Sequence, residues 1–214
     1  LFRRGTGAAS SASGLEWSRF RRQVLVVCHG NMCRSPLAAA LLAARLPADT
    51  WQVFSAGICA VEGRPVTTRT LRVAAEFGVD LASHRSTRVD PDQVRYSGLI
   101  LAMSRLQAET IARVERGAAS RIRLLGSFAP AANLWGLPAD PAQAAAGEQE
   151  IGDPMDQSSD LHRQCFERVD VAVNEVVDWL MRGAVPAAGP ATADQWLSQV
   201  VARERRARPL EAGR

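Results

Sequence analysis

Lysine is absent from the 214 residues, and all 26 Lys/Arg positions are arginine. Together with abundant alanine, that bias reads as the codon usage of a GC-rich genome and carries no functional message. No apolar run reaches the ~20 residues a membrane-spanning helix needs. Cysteine is scarce: Cys28, Cys33, Cys59 and Cys165 are too few for a secreted disulfide framework in a chain of this length. Cys28 and Cys33 have no second pair at zinc-ligand spacing, and His29, His84 and His162 are scattered, so no metal site is expected. There is no internal repeat. The net charge of +4 is confined to the ends. Residues 1–22 hold five arginines against Glu16, and residues 184–214 hold five against Asp194, Glu204 and Glu211, which leaves 23–183 at about −2. A body of that charge lacks a nucleic-acid footprint.

What is present is a strong local pattern. Val24-Leu25-Val26-Val27 is an apolar β-branched run that stops at Cys28. A short loop containing Gly30 follows, and Ser35-Pro36 then opens an Ala/Leu-rich stretch. This reads as strand, tight loop and helix N-terminus, with Ser35 as the cap and Pro36 as the first helical residue. Loop amides and the helix dipole make such a turn an anion cradle. Cys28 lies at its base and Arg34 at its rim. The positive surroundings favour the thiolate, and the arginine fork matches two oxygens of a phosphate. Attack of sulfur on phosphorus is the chemistry this arrangement suits.

The remaining pattern alternates strands and helices: strands near 23–27, 51–54, 98–103 and 121–125, and helices over 37–46, 65–77, 106–114 and 161–181. Such alternation predicts a doubly wound parallel α/β sheet. Residues 1–22 lack the apolar core of a secretory signal and are expected to form a disordered extension. Residues 128–150, rich in Pro and Ala, read as a long loop in which Trp135 could serve a recognition flap. Residues 184–214 read as a Pro/Ala/Gly linker followed by an amphipathic tail bearing Trp196, Leu197, Val200 and Val201.

The run Cys28-His29-Gly30-Asn31-Met32-Cys33-Arg34-Ser35-Pro36 closely resembles the signature of the low-molecular-weight protein tyrosine phosphatases, and the resemblance, to the bacterial branch, covers about 23–183. Ser55-Ala56-Gly57, Ser83-His84-Arg85-Ser86-Thr87 and Ile151-Gly152-Asp153-Pro154 resemble three further stations of that family, although Thr87 stands where the family usually has Arg and Gly98 where it often has Asp. The resemblance implies a three-layer αβα fold with a four-stranded parallel sheet in the order 2-1-3-4 and the phosphate loop after the first strand. It implies Cys28 as nucleophile, Arg34 as phosphate ligand and Asp153 as general acid, with Asp156 and Asp160 as nearby rivals. His29, Gly30, Asn31, Met32, Cys33, Ser35 and Ser55 would bind phosphate or shape the loop, Ser55 by pairing with Asn31, and His84 would be a structural hydrogen bonder.

Ile58, Val61 and Met155 would form the substrate wall, with Met155 where the family usually carries an aromatic residue. Cys33 is close enough in sequence to Cys28 to act as a protective redox partner. No cofactor or metal is expected. The implied reaction is hydrolysis of phosphotyrosine-type monoesters in the cytoplasm, on a phosphorylated protein such as a bacterial tyrosine autokinase. The rivals on the same fold are a thiol-relay arsenate reductase, for whose relay only Cys165 is available near the later helices, and a phosphate-sensing binding module. A protein-arginine phosphatase is disfavoured because that branch typically has Thr at the position of Met32.

Overall fold

The computed structural model describes residues 22–129 and 150–183. The expectations for residues 1–21, for Trp135 and the loop over 130–149, and for the tail at 184–214 lie outside the described residues.

Four strands make one parallel sheet: β1 (Gln23–Cys28), β2 (Gln52–Gly57), β3 (Leu99–Ala102) and β4 (Ile122–Leu124), in the order β2-β1-β3-β4. Helices α1 (Arg34–Arg45), α2 (Thr68–Glu76), α3 (Pro91–Tyr96), α4 (Arg105–Val114) and α5 (Ser159–Met181) connect and cover it. Two 3-10 turns, Arg116–Arg121 and Leu125–Phe128, flank β4. Parallel strands need covered faces, and β1 shows why its sequence does not alternate. Val24, Val26 and Cys28 enter one core with Leu37, Leu41 and Leu42 of α1 and Phe166, Val169 and Val173 of α5. Leu25 and Val27 enter a second core with Val94 of α3 and Ile111 of α4. The result is three layers, as expected, with β1 inside the sheet and its carboxyl end opening onto the loop at 28–34.

Several boundaries differ from the sequence reading. Helix α1 begins at Arg34, with Cys33 in the cap position and no side-chain cap bond, so Ser35 is not the cap. Helix α2 starts at Thr68 and not Pro65, because the Thr67 side chain accepts the Thr70 N–H at 3.2 Å and fixes the first turn there. Gly78, at φ 72°, follows that helix in the left-handed conformation that suits glycine. Ser55-Ala56-Gly57 continues β2 to its end, where Gly57 pairs with Cys28. The short α3 was not expected, although its signal is plain: Asp90 accepts from Asp92 N at 2.7 Å, and Pro91 occupies the first turn.

Candidate active site

Every expected loop residue converges at the carboxyl end of β1. Cys28 is buried at the base, with Ser35 Oγ 2.9 Å from its sulfur and the Asn31 N–H donating to it at 3.2 Å. Ser35, turned inward instead of capping the helix, also lies 3.3 Å from the Ala56 carbonyl.

Asn31 is the hub. It is fully buried with φ 54°, a left-handed conformation that Asn tolerates better than most residues. Its Nδ2 donates to Ser35 Oγ at 3.0 Å and to Ser55 Oγ at 2.9 Å. Its Oδ1 accepts the Thr87 backbone N–H at 2.8 Å, and its carbonyl lies 2.9 Å from His84 Nε2. The loop is thus fastened to the end of β2 and to the segment before α3. Thr87 closes the circle by donating its hydroxyl to the Ser55 carbonyl at 3.0 Å. Gly57 permits the approach: a Cβ there would lie 2.6 Å from the His29 carbonyl oxygen and 2.8 Å from Asn31 N, closer than real Cβ contacts come. The roles of Thr87 and Gly57 were not foreseen, because a main-chain donor and a missing Cβ leave little trace in a sequence.

Arg34 is buried and reaches across to the 151–158 segment. It donates to the Ile151 carbonyl at 2.9 Å and forms an ion pair with Asp153. Its Nε has no partner among the described residues, so one buried N–H remains for an anion. Asp153 Oδ1 accepts the Met155 N–H at 3.1 Å, an Asx-type turn that orients the carboxylate. The segment is anchored by Ile151 N donating to the Met103 carbonyl at 2.9 Å, and by Arg69 of α2, which donates to the Gln157 carbonyl. Asp156 and Asp160 are exposed, and Asp160 is paired with Arg163.

The other expected residues are spread around the mouth. His29 and Val61 are exposed, while Gly30, Met32, Ile58 and Met155 are half-buried. Ile58 packs on the second core and Met155 on the first. Cys33 is buried behind the loop, and burial above all raises its thiol well beyond the usual range. Burial likewise pushes the Cys165 thiol up to about 12, and that sulfur faces the Gly152 carbonyl at 3.7 Å. All four cysteines are free.

A parallel α/β sheet with a cysteine and an arginine bracketing a five-residue turn between its β1 strand and α1 helix defines a cysteine-based phosphate-loop protein. A family model described as low molecular weight phosphotyrosine protein phosphatase matches residues 23–184, and the chain belongs to that family. It is 30% identical over 159 residues to the probable low molecular weight protein-tyrosine-phosphatase AmsI of Erwinia amylovora, an alignment covering 74% of this chain and 97% of AmsI. To the similarly described EpsP of Ralstonia solanacearum it is 41% identical over 90 residues, 42% of this chain and 61% of EpsP. Among solved structures, the tyrosine phosphatase Wzb of Escherichia coli K30 in complex with sulphate superimposes with a TM-score of 0.61 at 26% identity, covering 74% of this chain and 98% of Wzb. Among the described residues, no helix is long and apolar enough to cross a membrane.

Proposed function

We propose that the protein is a metal-independent phosphatase that hydrolyses phosphotyrosine-type monoesters through a cysteinyl-phosphate. The observation that carries this reading is the fastening of the 28–34 loop by Asn31, which presents the Cys28 sulfur and the Arg34 guanidinium to one space with Asp153 at its edge. The Cys28 thiolate attacks phosphorus as the P–O bond to the leaving group breaks. The loop amides and Arg34 take the charge that builds on the equatorial oxygens. Asp153 gives its proton to the leaving oxygen. A water molecule then attacks the phosphorus of the cysteinyl-phosphate and passes a proton back to Asp153, so that the S–P bond breaks and inorganic phosphate and the thiolate are released. Ser35 Oγ holds the sulfur through both steps, and Asn31 and Ser55 keep the loop in shape.

The names of AmsI and EpsP support a phosphorylated protein as substrate, and the resemblance supports a tyrosine kinase and a cytoplasmic setting. Met155, packed on the core, together with Ile58 and Val61, gives an aliphatic wall, which favours a broad range of phosphomonoesters over strict recognition of a phenyl ring. Cys33, behind the nucleophile, is the proposed partner for a reversible Cys28–Cys33 disulfide once an oxidant such as peroxide has converted Cys28 to a sulfenic acid; its thiol displaces the hydroxyl as water.

The test is turnover of para-nitrophenyl phosphate and of a phosphotyrosine peptide in the presence of a chelator, with Cys28→Ser and Asp153→Asn beside the wild type. Chelator-resistant turnover that Cys28→Ser abolishes and Asp153→Asn slows is the expected result. A folded, reduced and inactive wild type would instead favour the phosphate-sensing module.

A further inference from the structure

Ser86 is fully buried and has no part in the reaction described above. Its hydroxyl donates to the Val61 carbonyl at 2.5 Å and accepts the Arg64 N–H at 3.0 Å. Val61 and Arg64 are the first and last residues of the turn Val61-Glu62-Gly63-Arg64, the two whose main-chain groups a β-turn brings together. The Ser86 main chain holds the same turn: its N–H donates to the Arg64 carbonyl at 2.9 Å, and its carbonyl accepts the Gly63 N–H at 2.8 Å. One residue thus makes four hydrogen bonds to three residues of the turn. Two further features fix the tip. Gly63 is at φ 75°, a conformation that glycine takes without strain, and Glu62 Oε1 accepts the Arg88 N–H at 2.5 Å.

The turn is tied to the phosphate loop from both sides. Before it, Ile58 N donates to the Cys28 carbonyl at 3.1 Å and Cys59 N to the His29 carbonyl at 2.9 Å, so the chain runs to Val61 from the rim of the loop. After it, Ser86 lies between His84 and Thr87, the two residues that hold Asn31 from this segment. The reach from the phosphate site to Val61 is therefore set along 58–61 and again through 84–87. Val61 itself is 59% exposed. A lone exposed valine is ordinary. This one has its carbonyl pinned by a buried hydroxyl at a fixed reach from an anion site, where the organic part of a phosphate ester would lie. A buried hydroxyl is costly unless it is hydrogen-bonded, and Ser86 spends both its donor and an acceptor position on the turn. Alanine would fill the position without that cost, so packing alone does not account for serine here.

We propose that Ser86 is a positioning residue for substrate recognition: through the 61–64 turn it holds Val61 against the apolar leaving group of a bound ester, and so favours apolar esters over small or bare phosphates. Without the hydroxyl the turn loosens, the loop still binds phosphate, and the apolar part of the ligand loses a preformed contact. Ser86 makes and breaks no bond in the reaction. The inference rests on Val61 being part of the substrate wall.

The experiment is calorimetric titration of inorganic phosphate and of phenylphosphonate into wild type, Ser86→Ala, Val61→Ala and the double variant, with kcat and KM on para-nitrophenyl phosphate for the same four. Ser86→Ala leaves the main-chain bonds available and removes only the hydroxyl. In each single variant the Kd of phenylphosphonate and the KM are expected to rise about three- to tenfold, while the Kd of phosphate and kcat stay within about twofold. The double variant should lie within about twofold of the weaker single one, because both changes remove one contact. A Ser86→Ala that weakens phosphate as much as phenylphosphonate, or single effects that multiply in the double variant, would overturn the proposal. Val61→Ala, at an exposed position, tests the contact independently, and an unchanged phenylphosphonate affinity there also overturns it. A folded wild type without turnover overturns the phosphatase reading, and the calorimetric values then still uphold or overturn the part given to Ser86.

Discussion

Asp153→Asn should tighten the binding of inorganic phosphate while it cripples turnover. The Arg34 guanidinium is engaged by Asp153, and an incoming anion competes with that carboxylate for it. The arginine side chain is 5% exposed and the aspartate 44%, so the pair is dry on one side and wet on the other. A pair open to water in this way is worth about 1 kcal/mol, not the several that a fully enclosed one would carry. Asparagine keeps an acceptor for Arg34 but removes the charge, so most of that cost disappears. It also removes a negative charge from the edge of a dianion site, which acts in the same direction. The inhibition constant of phosphate against para-nitrophenyl phosphate should therefore fall about five- to tenfold. Over the same substitution kcat should fall about 10²- to 10⁴-fold, as expected for loss of a general acid. The affinity gain should shrink at about 1 M salt, where exposed charges are screened. Titration of phosphate into the Cys28→Ser background by calorimetry, with and without Asp153→Asn, checks the binding free of turnover. An unchanged or weaker phosphate affinity in Asp153→Asn would refute the competition and leave the ion pair as a mere tether of the 151–158 segment.

Gly57→Ala should lower kcat/KM at least about tenfold with the fold intact by circular dichroism, because the backbone that its Cβ would strike belongs to the loop itself. Asn31→Ala should destabilise the protein by about 2–4 kcal/mol in urea, since it orphans buried partners and forces a left-handed φ on alanine. Met155→Tyr should raise the preference for aryl over alkyl phosphates about tenfold, measured as a ratio of kcat/KM values. Peroxide inactivation should be reversed by thiol in wild type but not in Cys33→Ser, where Cys28 oxidises further. The buried neutral His162 also gives stability a pH slope. Its folded pKa is depressed, so its contribution is complete above about 6.5 and is lost as the pH falls toward the folded value. His162→Phe should flatten urea midpoints over that window.

The parts of this site that a sequence can express are side chains at fixed spacing, and those were legible. Cys28, Asn31, Arg34 and Ser35 share one turn, and the distant Ser55, His84 and Asp153 could be placed because their short motifs resemble those of a known family. Where a residue type serves two roles, the sequence misled. Ser35 before Pro36 has the form of a helix cap, yet its hydroxyl faces Cys28 while the helix starts a residue earlier without a capping side chain. Ser55-Ala56-Gly57 has the composition of a turn, yet it completes a strand, because the ladder to β1 runs to Cys28 and only a glycine there lets the loop lie across it.

Main-chain partners are harder still to read. The Ile151 carbonyl that accepts from Arg34 and the Thr87 amide that donates to Asn31 could belong to any residue, and only the fold brings them into place. His162 is the opposite case, a residue type with clear chemistry set among core side chains. It stands just before the apolar stripe of Phe166, Val169 and Val173, where spacing alone assigns it to the core. What separates it from that stripe is that neither ring nitrogen has a hydrogen-bond partner among the described residues. A phenylalanine at 162 would serve the core as well.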